Sequence, residues 1–341
     1  MLSRTTLIVL IASVLSSSFI ASSYAQENSS FSDVSKNHPA YQAILYLRDQ
    51  GLIKGYADGT FKPNQEVDRA AAVKMILAGR ITEEQVKGIL NPGFTDVPAD
   101  AWYAGYIAKA TEFGIIDPPT KNPAFNGGRS VVLAEFLKIL LLAQQVDVSA
   151  YSEIKLPFSP DVSDTGAWFY PYVRVALASS LLQVDTKGML HPAKKLTRGD
   201  VALTVYHLLM YKANRRTQAL LSLTETELSS NVLSNLSPQG LPFAKMARAR
   251  ALLAVRGALT SRPDSQIVKG AVKVTEGFGA LVEAYEAGSA GRSDDAISLA
   301  GKAYQLAIQS KEFSPSLEPI ATSMQTIAHD MAEEARKLKA K

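Results

Sequence analysis

Apolar residues recur along most of this chain at the spacing of three and four residues that is typical of amphipathic helices. One such stretch contains Tyr41, Ile44 and Leu45 and meets Gly51, and glycine commonly ends a helix in a left-handed conformation. A turn rich in glycine and proline follows, and a second apolar stretch opens at Asp68, whose carboxylate suits a helix N-cap. The pattern predicts two helices joined by a tight turn.

This helix-turn-helix pattern occurs three times. Each copy opens on a phenylalanine that is followed within three residues by Asp-Val, and the three phenylalanines are Phe31, Phe94 and Phe158. Trp102 and Trp168 occupy equivalent positions, which we predict to lead the first helix of units two and three. Self-similarity at a fixed period indicates tandem repeats, and units too small to bury their own apolar faces stack on one another.

The last third of the chain is also expected to be helical, so we predict an all-α protein. Breaks in the apolar pattern fall at 237–240, 261–264, 287–291 and 314–315, and Ser293 and Asp294 are candidate N-caps. Short connections between helices of this length predict an antiparallel bundle. Two junctions with the repeats are compatible with the sequence: a continuous helix, since 200–237 lacks glycine and proline, or a break at 214–217.

The N-terminus has a different character. Arg4, the apolar run from Leu7 to Leu15 and the small residues at Ser23 and Ala25 are typical of a secretory signal peptide cut after Ala25. A short membrane anchor is the alternative, but serines interrupt the apolar run and it is short for a membrane span. We therefore expect an exported protein.

The composition limits the kinds of ligand and site that the chain can have. The 341 residues are 47% hydrophobic and include no cysteine, which predicts a packed core without disulfides and excludes thiol chemistry. The net charge of +4 is compatible with an acidic polymer as ligand, but no basic stripe with interleaved aromatics predicts nucleic-acid binding. His38, His191 and His207 are scattered, so neither a metal site nor a cofactor is expected.

The repeat motifs resemble a known family. Four features are together similar to the S-layer homology (SLH) domain. They are the Phe-x-Asp-Val opening, the aromatic-led helix, the glycine followed by apolar residues, and the helix start at Asp68-Arg69-Ala70-Ala71 or Thr197-Arg198-Gly199-Asp200. The resemblance covers about residues 31–211. It implies a three-pronged, pseudo-threefold helical module whose grooves bind secondary cell-wall polysaccharide, typically bearing acidic pyruvate ketals. Such binding anchors exported proteins non-covalently to the envelope.

This resemblance sets the expected domains. They are a signal peptide at 1–25, SLH repeats at 26–88, 89–152 and 153–213, and a C-terminal helical bundle at 214–341.

It also implies seven glycan-binding residues. Arginine binds a ketal carboxylate through two parallel hydrogen bonds, and tryptophan offers an apolar face to a sugar ring. The residues that match the family motif are Asp33, Asp96, Asp161, Arg69, Arg198, Trp102 and Trp168.

Departures from the motif predict fewer than three competent grooves. They are Pro39 in place of tryptophan, Ala71 in place of the acid, and Leu133 in place of arginine. Unit three is the nearest to complete, with Trp168, Arg198 and Asp200. A groove is built by two neighbouring units, so the competent one is not specified by the sequence.

Structural roles compete with these assignments. The leading aspartates are equally suited to cap the first helices, and the tryptophans are more often partly buried packing residues. Arg198 could pair with Asp200 or with a neighbouring helix, and His207 lies on an apolar face typical of a packed histidine.

The expected function is non-catalytic anchoring at the cell envelope. The expected partner is an acidic secondary cell-wall polysaccharide or another peptidoglycan-linked glycan, and the C-terminal bundle is a structural module or binds envelope proteins or further copies of the chain. Two alternatives stay open: a wall-anchored enzyme acting on envelope glycans, and a degenerate SLH scaffold that binds proteins.

Overall fold

The computed structural model describes residues 31–77, 80–228 and 236–340. The described residues form α-helices and one short 3₁₀ helix and contain no strands, so the all-α prediction is confirmed. The predicted signal peptide lies outside the described residues.

The three repeats each contribute two main helices. These are α1 (Tyr41–Asp49) and α2 (Arg69–Leu77), α4 (Ala104–Glu112) and α5 (Leu133–Ala143), and α6 (Tyr170–Ala178) and α7 (Arg198–Lys212), with a one-turn helix α3 (Glu83–Val86) between units one and two. The first helix of each unit ends before a residue with positive φ, at Gly51, Gly114 and Ser180. The predicted helix stop at Gly51 is confirmed.

The three units close into a ring through their backbones. Val67 donates its N–H to the carbonyl of Leu196 (2.9 Å), Leu196 donates to Val131 (3.0 Å), and Val131 donates to Val67 (2.9 Å). The residues that begin the second helices extend this ring, with Arg69 donating to Arg129, Leu133 to Lys194 and Arg198 to Gln65. The start of each second helix is therefore held against the turn of the next unit, and unit three is joined back to unit one.

The C-terminal region continues with four long helices after a short one. They are α8 (Thr217–Glu227), α9 (Leu241–Ser261), α10 (Gln266–Ser289), α11 (Ser293–Phe313), a 3₁₀ turn (Pro315–Leu317) and α12 (Glu318–Lys339). Consecutive helices pack on one another from α8 to α12. No helix in the described ranges combines the length and apolar character that crossing a bilayer requires.

The backbone tests two predictions about this region, the junction with the repeats and the N-cap of α11. α7 ends at Lys212, Asn214 has a positive φ of 57°, and α8 begins at Thr217, so the junction is broken and not continuous. Ser293 and Asp294 are not N-caps, because α11 begins at Ser293 and Arg292 is the residue before it. Asp294 instead pairs with Lys339 of α12 at 2.6 Å.

The largest hydrophobic core of the repeats extends into the C-terminal region, which also has buried clusters of its own. Ala249 and Leu253 of α9 belong to the same buried cluster as units two and three. α9 approaches the end of α6 so closely that a Cβ built on Gly257 would overlap the carbonyl oxygen of Ala178. The C-terminal region is therefore packed directly onto unit three.

Candidate functional site

The three leading aspartates hold the turns that precede the second helices. Each carboxylate accepts backbone N–H groups on both oxygens: Asp33 from Phe61 and Lys62 (2.8 and 2.7 Å), Asp96 from Phe125 and Asn126 (2.7 and 2.6 Å), and Asp161 from Leu190 and His191 (3.1 and 2.7 Å). The second residue of each pair has a positive φ, between 55° and 58°. The alternative role as first-helix caps is wrong. The aspartates stabilise a left-handed turn.

Arg198 is fixed against unit one. Its Nε donates to the carbonyl of Phe61 at 2.7 Å and its Nη2 to that of Lys54 at 3.2 Å. Its guanidinium lies over two aromatic rings, 4.5 Å from the centroid of Phe61 and 5.0 Å from that of Tyr56. The predicted alternative of an Arg198–Asp200 pair is wrong, because Asp200 accepts from Lys194 at 3.0 Å.

Arg69 has the equivalent position against unit two. Its guanidinium lies 5.1 Å from the centroid of Phe125, and Nη1 is 3.8 Å from Glu135. Burial lowers the pKa of Arg69, which stays charged, and its Nε is buried without a hydrogen-bond partner. Burial alone would raise the pKa of Glu135, but hydrogen bonds from Arg129 and the charge of Arg69 hold it below its usual value. The carboxylate of Glu135 therefore lies between the guanidinium groups of Arg69 and Arg129.

Both tryptophans are exposed at groove edges. Trp102 is 58% exposed and Trp168 is 54% exposed, so the expectation that they are partly buried packing residues is wrong. They lie in the turns before α4 and α6 and not on the helices. Lys74 places its Nζ 5.6 Å from the Trp102 ring centroid.

Two clefts bring these residues together. Groove I, of about 440 Å³, is lined by Arg69, by the turn of unit two including Phe125, and by Trp168. Groove II, of about 710 Å³, is lined by Arg198, by unit one including Tyr56 and Lys74, and by Trp102. Each groove draws on three units, so Trp168 and Arg198 of unit three, which the sequence suggested as one set, lie in different grooves.

A third cleft occupies the equivalent position between units two and three. Groove III, of about 650 Å³, is lined by Leu133 where the other grooves have arginine, and by residues 180–185 and 189–191 of unit three. Further lining comes from α7, including Asp200, Thr204 and His207, and from Arg216 and α8 of the C-terminal region. Arginine is thus replaced by leucine in one of three grooves.

Several groove residues were missed by the motif comparison. Lys54 and Tyr56 follow the first helix of unit one, Lys74 lies one turn into α2, and Arg129 lies in the turn of unit two. The stretch after Gly51 was the available signal, since it carries a lysine and a tyrosine on a tight turn. Within the ranges that the structure describes, no cluster of three or more His, Asp or Glu side chains suits a metal ion.

The three units are similar to a known family of domains. The family model described as S-layer homology domain matches residues 30–73, 93–125 and 160–202. Each matched segment falls within one of the three units that the ring of backbone hydrogen bonds joins.

Similar proteins carry this region within much longer chains. The chain is 29% identical to a Surface-layer 125 kDa protein of Lysinibacillus sphaericus over 56% of this chain and 16% of the relative. It is 28% identical to the S-layer protein EA1 of Bacillus anthracis over 65% of this chain and 25% of the relative. An Amylopullulanase of Thermoanaerobacterium thermosulfurigenes is 29% identical over 54% of this chain and 10% of the relative. The chain spans a quarter or less of these relatives, and the predicted location at the cell envelope is confirmed.

Proposed function

We propose that this chain, which contains three tandem S-layer homology domains, anchors to the cell envelope by binding an acidic wall glycan in grooves I and II. One observation carries the proposal: each groove combines an arginine stacked on a phenylalanine with an exposed tryptophan from another unit. This set suits a sugar that bears a carboxylate, because guanidinium groups bind carboxylates and indole rings pack on sugar faces.

The arginines are the carboxylate-binding residues of this proposal. In groove I, Arg69 and Arg129 both line the cleft, and a ligand carboxylate would bind to these guanidinium groups in competition with Glu135. In groove II, Arg198 has Nε and Nη2 on backbone carbonyls, which orients the rest of the guanidinium toward the cleft before any ligand binds.

Trp102 and Trp168 are the proposed sugar platforms. More than half of each residue's surface is exposed, and Trp168 and Trp102 line the same clefts as Arg69 and Arg198, respectively. Asp33, Asp96 and Asp161 stay in the proposal as positioning residues, because both oxygens of each carboxylate already accept backbone N–H groups. They hold the turns against which the arginines pack.

The C-terminal region, proposed as a domain from residue 214, is a structural or partner-binding module and not an enzyme. Three glutamates on α10 form ion pairs with basic residues: Glu276 with Lys273, Glu283 with Arg248 and Glu286 with Lys245. A glycoside hydrolase needs two carboxylates facing one bond. These paired surface glutamates do not supply that arrangement, so the wall-anchored enzyme is the less favoured alternative.

Sedimentation with purified cell walls tests the proposal. The full chain is mixed with peptidoglycan that retains its polysaccharide, and with the same material after mild acid removal of the acid-labile ketals. We expect binding to intact walls only, and about 10-fold weaker binding for Arg69→Gln or Arg198→Gln, the loss expected for one charged hydrogen-bond pair. Arg262→Gln, at an exposed position after α9, is the matched control. Equal sedimentation with intact and stripped walls would contradict a carboxylate ligand.

A further inference from the structure

Helix α11 of the C-terminal region carries two lines of residues along its length. The buried line faces the bundle and includes five small residues: Ala296, Ala300, Ala303, Ala307 and Ser310. The second line is offset from the first by about one residue and lies closer to solvent. We call it the α11 stripe, and it consists of Asp294, Ile297, Gly301, Tyr304, Ile308 and Lys311. The spacing of three and four residues places its members on one face of the helix.

The middle of the α11 stripe is apolar and open to solvent. Tyr304 is 39% exposed and Gly301 is exposed as well, while Ile297 and Ile308 are partly buried on either side of them. Single exposed apolar residues are normal on a protein surface. Apolar residues that continue in line at alternating spacings of three and four are the pattern by which one helix pairs with another.

Gly301 is not explained by the packing of the described residues. A Cβ built there would meet none of their atoms within 4 Å, although the residue lies in the middle of a 21-residue helix. Glycine inside a helix costs about 0.5–1 kcal/mol relative to alanine. What the missing side chain provides is a hollow on the surface of the stripe, next to the ring of Tyr304 on the following turn.

The stripe is complementary in shape to a second copy of itself. In an antiparallel pair of α11 helices, Tyr304 of each copy fits over Gly301 of the other. The same register places Ile297 opposite Ile308 on both sides of this centre. A large residue therefore meets a small one in the middle, and matched isoleucines pack beside them. Such a surface is self-complementary about a twofold axis, as the interface of a symmetric dimer requires.

The charges at the two ends of the stripe favour the antiparallel direction. Antiparallel pairing brings Asp294 opposite Lys311 at each end, whereas parallel pairing would place like charges together. Asp294 pairs with Lys339 of α12 at 2.6 Å, but the two side chains are 76% and 58% exposed. Lys311 donates to the neutral amide oxygen of Gln325 at 3.2 Å. Exposed contacts of this kind are weak, so both charges can also contact a second copy.

We propose that the α11 stripe is a homodimer interface, in which two copies of the chain pair their α11 helices antiparallel with Tyr304 over Gly301. The inference goes beyond the proposed function, because the stripe contains no residue of grooves I and II. One helix pair buries less surface than the standard interface of about 1,600 Å², so the dimer is weak in solution. It is favoured when many copies are held close together on one surface.

Cysteine crosslinking tests the register, because the natural chain contains no cysteine. Ile297→Cys and Ile308→Cys are oxidised separately and as a mixture. We expect a disulfide-linked dimer only in the mixture, since a disulfide needs Cα atoms within about 7 Å and antiparallel pairing places these two positions opposite each other. Like positions would lie about 16 Å apart along the helix axis. A crosslink formed by either variant alone, or none in the mixture, would overturn the proposed pairing.

Sedimentation velocity of the full chain measures the dimer without crosslinking. We expect the sedimentation coefficient of the natural chain to rise with concentration between about 5 and 500 µM, as for micromolar affinity. Tyr304→Glu should weaken dimerisation at least about 10-fold, because it buries a charge against Gly301. Gln309→Glu, an exposed position of α11 outside the stripe, is the matched control and should behave as the natural chain.

Two results of this measurement would overturn the proposal. One is a natural chain that stays monomeric over the whole range, which would leave the stripe to a different partner. The other is a Tyr304→Glu variant that dimerises as well as Gln309→Glu, which would place the interface elsewhere. Neither result bears on binding of the wall glycan, which is measured separately by sedimentation with cell walls.

Discussion

The guanidinium of Arg198 lies 4.5 Å from the centroid of the Phe61 ring, although 137 residues separate the two along the chain. The Nε of the same arginine donates to the backbone carbonyl of Phe61. Arg69 and Phe125 repeat the stacking at 5.1 Å in groove I. Because the guanidinium is oriented before a ligand arrives, less side-chain entropy is lost on binding.

The grooves predict which binding residues act together. Trp102 shares groove II with Arg198, and Trp168 shares groove I with Arg69. In double-mutant cycles that measure binding to purified wall polysaccharide with its ketals, we expect Trp102→Ala to couple with Arg198→Gln by about 0.5 kcal/mol or more, since residues around one ligand are not independent.

The cross-groove pair is the control for these cycles. Trp102→Ala combined with Arg69→Gln is expected to be additive within about 0.5 kcal/mol. Coupling between Trp168 and Arg198 in place of Trp102 and Arg198 would show that each groove is built within one unit, contrary to the structure. Unfolding temperatures of the tryptophan variants should change little, because both rings are more than half exposed.

Substitution of a leading aspartate is predicted to lower the free energy of unfolding. Asp33→Ala removes the acceptor of two backbone N–H groups, those of Phe61 and Lys62, at a turn with positive φ. We expect a loss of about 1–3 kcal/mol in the free energy of unfolding, measured by urea denaturation. Asp330→Ala, on the exposed face of α12, should change it by less than about 0.5 kcal/mol. Equal effects for the two variants would contradict a turn-holding role.

The packing of α9 on α6 predicts a strong effect at one glycine. A methyl group at Gly257 would meet the carbonyl of Ala178, so Gly257→Ala must separate the two helices. We expect a loss of about 1–3 kcal/mol or more in the free energy of unfolding, as for overpacked cores.

Gly301 is the matched control, because it is also helical and a Cβ there would meet no atom within 4 Å. Gly301→Ala is expected to stabilise by about 0.5–1 kcal/mol through its higher helix propensity. Destabilisation by both substitutions to the same extent would mean that close approach at Gly257 is not the cause.

The lowered pKa of His207 predicts that the free energy of unfolding depends on pH. Its pKa is about 4 in the folded chain, because of burial and the charge of Arg216, and about 6.5 when unfolded. Between these values the unfolded chain binds a proton that the folded chain does not, so stability falls as pH falls from about 6.5 to about 4. Above about 6.5 this histidine causes no pH dependence.

Urea denaturation of the natural chain and of His207→Asn across pH 4–7.5 isolates this effect from the titration of carboxylates. We expect the stability of the natural chain relative to the variant to decrease as the pH falls below about 6.5. His329→Asn, an exposed histidine of α12, should follow the natural chain. Parallel curves for the natural chain and His207→Asn would contradict the lowered pKa.

Local features of the site could be predicted from the sequence. The helix stop at Gly51 follows from backbone conformation, and the second-helix start at Asp68 is confirmed by the hydrogen bond from the N–H of Ala71 to its carboxylate at 2.7 Å. The positions of Arg69 and Arg198 at helix starts also follow from the motif. The roles of the aspartates did not follow, because their acceptor contacts reach 28 to 30 residues along the chain.

The sequence by itself determined the threefold repeat, the helical class and the leucine at position 133, since these depend on residue order and on local backbone preferences. Only the tertiary structure decided which residues share a groove. The ring of hydrogen bonds joins unit three to unit one, and this places Trp102 with Arg198 and Trp168 with Arg69. It also brings Arg216, the residue before α8, into groove III. These contacts join distant parts of the chain and arise from packing of the assembled helices, which no local pattern encodes.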